Sequence, residues 1–294
     1  MSASSERMRK EWAINDAKRD AGLTTPEDIV RVDDLPYGPV PKWNELDVYR
    51  PKNAVGKLPV IVVVHGGGWV YGDKELYQFY GMTLAQRGFA VVNYSYRLAP
   101  ENKFPAQLED TNAVIAWMFE NQENYGLDMD HVFLVGDSAG GHLAALYAEI
   151  CTNPEYAKRY PFEVPHGFVP TALGLNCGAY TPTREEPMEE GSNNDLMTDL
   201  LPNGGTSEEA EHIDATRHVT SAFPPSFIMS CVGDFCLPQV PGLTEALCAN
   251  RVPFICKVYG DQENPLYHVF HVTIQEKLGQ QCNDEECAFF RTFL

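Results

Sequence analysis

Short apolar runs rich in valine and isoleucine alternate along the chain with stretches whose apolar positions recur every three or four residues. "PVIVVVHGGG" (from Pro59), "FAVVNYSYRL" (from Phe89), "HVFLVGDS" (from His131) and "TALGLNCGAY" (from Thr171) read as buried strands, as do "SFIMSCVGD" (from Ser226) and "PFICKVYGD" (from Pro253). Their apolar positions are continuous rather than alternating, the pattern of a strand covered on both faces. "LDVYRP" (from Leu46) reads as an edge strand. Helical spacing covers Glu75 to Arg87, Pro105 to Glu120, Ala139 to Ile150 and Leu243 to Asn250, with a last helix from about His271 to Phe293. This rhythm predicts an α/β fold, with a mostly parallel sheet and helices on both of its faces.

Two segments break the rhythm. The first forty residues hold a charged helix candidate and the Pro-rich stretch "DDLPYGPVPKW"; Pro182 to Phe223 is acidic and rich in Gly, Asn and Thr. A connection that long within a compact domain is usually functional. The expectation is one domain over residues 1–294, with cap elements at approximately 1–40 and 182–223 laid over the strand ends.

Composition narrows the function. The chain has 294 residues, of which 44% are apolar, enough for a large core. Acids outnumber bases 41 to 22, a formal charge of −19 that repels nucleic acid and anionic membrane. No apolar run is long enough to span a bilayer, and the charged N-terminus lacks the apolar centre of a secretory signal, so a cytoplasmic location is expected. Eight cysteines with no Cys-x-x-Cys pair make neither a disulfide framework nor a structural metal site. Cys151, Cys177, Cys231, Cys248 and Cys256 sit in or beside apolar runs and are expected to pack as small hydrophobes.

Candidate chemistry begins at Gly136-Asp137-Ser138-Ala139-Gly140, which joins an apolar strand to a helix. In that context Gly-x-Ser-x-Gly is a nucleophile elbow, a sharp turn that lifts the serine above the sheet edge. The helix starting there aims free N–H groups and its dipole at developing negative charge, and Ala139 supplies one of them. A second glycine run, His65-Gly66-Gly67-Gly68, directly follows another strand. Gly66 and Gly67 are the first choices as donors to an oxyanion, with Gly68 next; His65 is expected to shape this loop. A serine needs a base, and the base an orienting acid, in the chain order Ser, Asp or Glu, His. Asp234 follows the strand from Ser226 and is the first choice of acid, ahead of Asp261. His268, after the strand from Pro253, is the base, ahead of His271. His131, His142, His166, His212 and His218 are read as ordinary surface or core residues.

"HGGGW", "YRLAPENKFPAQLED" and "GDSAGGHLAA", followed by a late Asp and a His-x-Phe, resemble the hormone-sensitive-lipase-like esterases of the α/β-hydrolase fold over about residues 46 to 294. The resemblance implies an eight-stranded sheet, a cap built from the N-terminus and an inserted segment, and hydrolysis of short-chain carboxylic esters without a cofactor. Carried over by position, Ser138, Asp234 and His268 are catalytic, and Gly66, Gly67 and Ala139 form the oxyanion hole. Arg97, Glu101 and Asp110 would fix a loop, and Asp137 would hold the elbow. Trp69, Tyr71, Tyr180, Phe235 and Tyr267, adjacent to these segments, are candidate substrate contacts. The expected partner is a small-molecule ester, and a homo-oligomer is compatible with the sequence. Three alternatives share the scaffold: an arylformamidase-type amidase, a carbohydrate acetyl esterase, and a small-ligand receptor that has lost its catalytic histidine.

Overall fold

The computed structural model describes residues 1–182 and 193–294. Eight strands among them form one sheet in the order β1 (Ile29–Pro36), β2 (Glu45–Pro51), β4 (Ala90–Tyr94), β3 (Leu58–Val64), β5 (Leu127–Asp137), β6 (Ala172–Asn176), β7 (Ser226–Cys231), β8 (Phe254–Tyr259). From β4 to β8 all neighbours are parallel, while β2 runs antiparallel to both β1 and β4.

The valine run of β3 shows why the apolar pattern is continuous. Val60, Val62 and Val64 face the cluster that contains Leu108, Ile115 and Met118 of α3 (Ala106–Tyr125) and Leu143 of α4 (Ala139–Thr152). Ile61 and Val63 face the opposite cluster, with Tyr77, Tyr80 and Leu84 of α2 (Lys74–Gln86) and Phe290 of α9 (Lys277–Arg291). Neither side of the strand meets water, so neither selects polar residues. Each such side chain contributes about 1.5 to 3 kcal/mol by leaving water.

Three expectations are corrected. The strand from Leu46 is not an edge; β1 lies outside it, and Leu46, Asp47, Val48 and Tyr49 are all buried. Residues 29–36 therefore belong to the sheet rather than to a cap. β1 hid from the pattern because most of its side chains reach solvent and it ends in "DDLP". At the far edge β8 is only half covered: Ile255, Cys256 and Val258 are exposed, as is Cys248, so these two thiols are not core hydrophobes.

Strand order reverses between β3 and β5, since the chain leaves β3 toward β4 and leaves β5 toward β6. The carboxyl ends of two such strands diverge into a crevice, where ligands of open α/β sheets bind. The glycine run follows β3 and Ser138 follows β5, so both stand at this crevice. Over it lie α1 (Ala3–Arg19) and α6 (Asn193–Leu200), packed on each other. The Ser2 N–H and the hydroxyls of Ser2 and Ser5 all donate to Asp199. Residues 183–192 of the second expected cap element lie outside the described residues. The remaining α-helices among the described residues are α5 (Pro154–Ala157), α7 (Ser207–His212) and α8 (Val240–Ala249). Among the described residues no helix is long and apolar enough to cross a membrane.

Candidate active site

Ser138 has φ 53° and ψ −120°, a conformation that costs a non-glycine residue about 1 to 3 kcal/mol. The surroundings enforce it. Its N–H donates to Asn176 O at 3.0 Å, and its carbonyl accepts from the N–H groups of His142 and Ala179, each at 3.1 Å. The flanking glycines are required by contact: a Cβ on Gly136 would lie 2.3 Å from Gly140 O, and one on Gly140 would lie 2.0 Å from Val64 O. The turn thus presses β5, α4 and the end of β3 together and leaves the Ser138 hydroxyl pointing into the crevice.

The hydroxyl meets His268, whose Nε2 is 2.9 Å from Ser138 Oγ. Nδ1 of the same ring is 2.6 Å from Asp234 Oδ1. A carboxylate only accepts, so Nδ1 carries the proton and Nε2 is left to accept from the serine. Asp234 follows β7 and is buried; its Oδ1 also accepts from the Cys236 N–H, and its Oδ2 accepts from Ser230 Oγ. Burial alone would raise its pKa, but the bonds from His268, Ser230 and Cys236 outweigh burial and hold it below the ordinary carboxylate value. The Gly233 N–H donates to Leu266 O at 2.8 Å, tying the acid loop to the histidine loop.

His271 takes no part in this chain. It is fully buried against Tyr80, neither ring nitrogen has a hydrogen-bond partner among the described residues, and burial pushes its pKa down to about 3. His65 is also buried and neutral, pushed down to about 4. Its Nδ1 donates to Gly66 O at 2.7 Å and its carbonyl accepts from Tyr96 Oη, so it shapes the loop.

The glycine loop corrects one assignment. The Gly66 N–H donates to Tyr77 Oη at 2.9 Å and is not free for a substrate oxygen. Among the described residues the N–H groups of Gly67 and Gly68 make no hydrogen bond, and that of Ala139, first in its helix, has no acceptor within the helix. Gly67 has φ 114°, and a Cβ there would lie 2.0 Å from Tyr71 O, so the loop can close only over glycine.

Ser138 and His268 open onto a cavity of about 700 Å³. Trp69, Tyr71 and Phe235 line it; Phe235 is 72% exposed, with its ring centroid 4.1 Å from that of His268. The other two aromatic candidates do not line it. Tyr180 turns inward beneath the strand ends, fully buried, and its hydroxyl donates to Leu175 O; Tyr267 is 69% exposed and points to solvent. The walls that sequence reasoning missed come from elsewhere: Met8, Trp12, Asp16 and Arg19 of α1, Leu196 of α6, and Gln239. Nothing in their local spacing marks them: α1 reads as a charged helix of the expected N-terminal cap, and its charge does not say which face turns to the cavity.

Contacts around the crevice redistribute the remaining assignments. Arg97 binds Asp110 at 2.8 Å and Glu109 at 2.8 Å, fixing the loop after β4. Glu101 instead holds α1, through Arg9 at 2.7 Å. Cys177 Sγ, an Asp234 oxygen and a His268 nitrogen lie within 4.8 Å of one another, a potential ligand group for a soft metal. Two of its three members are engaged with each other, so a metal there would have to break the Asp234–His268 bond.

A strained serine, a bonded histidine and a buried carboxylate stand at the switch point of this sheet, and comparison with known proteins gives the family. The model of the BD-FAE family matches residues 46–241, well over half of the chain. The chain belongs to the BD-FAE family. The family match, relatives named as esterases and the shared fold bear out the resemblance to hormone-sensitive-lipase-like α/β-hydrolases. Esterase LipQ of Mycobacterium tuberculosis is 33% identical over 71% of this chain and 49% of its own length. The probable carboxylic ester hydrolase LipM of the same organism is 29% identical over 73% and 51%. The BD-FAE chain therefore spans about half the length of these curated relatives. Among solved structures, an inhibited Esterase B from Lactobacillus rhamnosis superposes with TM-score 0.89 at 28% identity, covering 99% of this chain and 97% of that one. EstE1, a thermostable carboxylesterase cloned from a metagenomic library, shares the fold, with TM-score 0.79 at 21% identity over 99% and 98%.

Proposed function

We propose that the protein is a serine hydrolase that cleaves short-chain carboxylic esters through an acyl-enzyme intermediate. The observation that carries this reading is the continuous chain from Asp234 Oδ1 through His268 to Ser138 Oγ, at 2.6 and 2.9 Å, on the floor of a cavity. Kinship with esterases supports the ester as the substrate class. His268 Nε2 takes the Ser138 proton while Oγ attacks the carbonyl carbon and the carbonyl electron pair moves onto oxygen. The N–H groups of Gly67, Gly68 and Ala139 receive that charge, each worth roughly 3 to 4 kcal/mol in the transition state. Asp234 orients the ring and stabilises the imidazolium. The tetrahedral adduct then expels the alcohol, which takes the proton from Nε2. Water repeats the steps on the acyl-enzyme, releasing the acid and restoring Ser138.

The bulky side chains of Trp69 and Leu196 take up part of the cavity lining, which favours short acyl chains in this reading. Hydrolysis of p-nitrophenyl esters from acetate to decanoate tests the reading. We expect a preference for short chains, and loss of turnover by roughly four orders of magnitude or more in Ser138→Ala. Turnover that survives the substitution, or no turnover of any ester, overturns it.

A further inference from the structure

We infer that Tyr77 is a positioning residue that fixes the oxyanion donors relative to the nucleophile, through one hydroxyl that bridges the glycine loop and the elbow. This rests on the serine hydrolase reading and deepens it. Tyr77 Oη donates to Asp137 Oδ2 at 2.8 Å and accepts from the Gly66 N–H at 2.9 Å. Asp137 is the residue before Ser138, and Gly66 the residue before Gly67. The hydroxyl therefore closes a ring of contacts in which both reacting parts are one residue from the bridge.

Peptide geometry transmits the constraint. The unit joining Gly66 to Gly67 is planar and trans, so its C=O and N–H point in opposite directions. His65 Nδ1 holds the Gly66 carbonyl, and Tyr77 holds the Gly66 N–H on the preceding unit. With both units fixed, the Gly67 N–H has one direction. Gly66 must be glycine for the same reason: a Cβ there would lie 2.7 Å from Asp137 Oδ2 and 3.0 Å from Tyr77 Oη. The ring of Tyr77 is itself held, edge-on to Tyr80 and tilted against His65. Asp137 is fully buried; burial raises its pKa, and the bond from Tyr77 opposes that rise. The bridge thus keeps a buried carboxyl satisfied while it sets a distance.

A cavity wall without this role would act on substrate binding, and Tyr77 does line the cavity. The test therefore separates ground state from transition state. Tyr77→Phe keeps the ring and removes the bridge. We expect kcat on p-nitrophenyl butyrate to fall about 30- to 100-fold with KM within two-fold, as a displaced donor costs in such sites. Inhibition by a trifluoromethyl ketone, which forms the tetrahedral adduct, should weaken by the same factor as kcat/KM, while the matching methyl ketone inhibits as before. A raised KM with kcat kept, or unchanged binding of the trifluoromethyl ketone, overturns the inference. Should Y77F not fold, Asp137→Asn and Asp137→Ala replace it. The amide oxygen still accepts from Tyr77, so D137N should retain far more kcat than D137A, and equal losses overturn the inference. Ser138→Ala in the same assays keeps the two readings apart: if it stays active, the hydrolase reading fails first.

Discussion

The hydroxyl of Ser230 donates to Asp234 Oδ2 at 2.6 Å, so the carboxylate oxygen turned away from His268 is anchored to the strand that carries the acid. The imidazole is thereby oriented through Asp234 by a residue four positions before it, in a bond made wholly inside β7 and its turn. Ser230→Ala leaves Oδ2 buried without a donor. A hydrogen bond to a buried charge is worth about 1.5 to 3 kcal/mol, so kcat should fall about ten-fold with KM little changed. The acid side of the stability profile should move as well. Asp234 is held below its ordinary value, so its contribution is complete above the unfolded pKa and is lost as pH falls through the folded one. Removing a donor raises the folded value, and S230A should unfold in acid at a higher pH than wild type. An identical acid midpoint and unchanged kcat would show that the anchor is idle.

Glu286 gives a pH dependence of the opposite sign. It is buried beneath β6, bonded to Asn176 Nδ2 at 2.8 Å and to Tyr80 Oη at 3.3 Å, and burial pushes its pKa up to about 7. Below its ordinary value of 4.5 the carboxyl is protonated in both states and neutral to stability. Between 4.5 and about 7 the unfolded chain releases the proton and the folded one does not, so stability falls as pH rises. The loss approaches about 3 kcal/mol above that window. Glu286→Gln removes it, and the melting temperature of E286Q relative to wild type should rise by several degrees between pH 4.5 and pH 8. A difference that is constant with pH would contradict this account.

Arg9 ties α1 to the rim of the crevice. Besides Glu101 it reaches Val70 O at 2.7 Å and Ala99 O at 2.9 Å, so one guanidinium clamps the helix to the loops after β3 and β4. Its ion pair is half exposed and contributes little alone, but the carbonyls lose their donor with it. Arg9→Ala should lower the melting temperature by roughly 2 to 4 °C, about 1 kcal/mol for a chain of this size. It should raise KM for butyrate several-fold with kcat nearly intact, because α1 lines the cavity and touches no reacting atom. Equal losses in kcat and kcat/KM would place Arg9 closer to the chemistry than this.

What the sequence disclosed divides by locality. Strands β3 to β7 could be read because burial on both faces leaves an unbroken apolar string. Strand β1, with most side chains in solvent, leaves no such string. Ser138 is marked by its flanking glycines, and Asp234 and His268 are placed by the strands they follow. The free donors of the glycine loop could not be chosen that way. Which N–H remains available depends on Tyr77, eleven residues further on, in a helix whose apolar spacing explains the ring but not the hydroxyl. Tyr180 and Tyr267 failed for a related reason: adjacency along the chain puts a residue near the site but does not say which way its side chain turns. Trp12 and Arg19 reach the cavity from the other end of the chain, and only the folded arrangement brings them there.

Ser138 and the base that contacts it are 130 positions apart, with β6, β7 and β8 between them. A ribosome therefore delivers the elbow well before the last strands exist. On the proposed mechanism the Ser138 hydroxyl is no more reactive than any other until His268 stands beside it to take its proton. His268 follows β8 in the chain, so the proposed chemistry needs the last strands in place, and a growing chain that lacks them is silent.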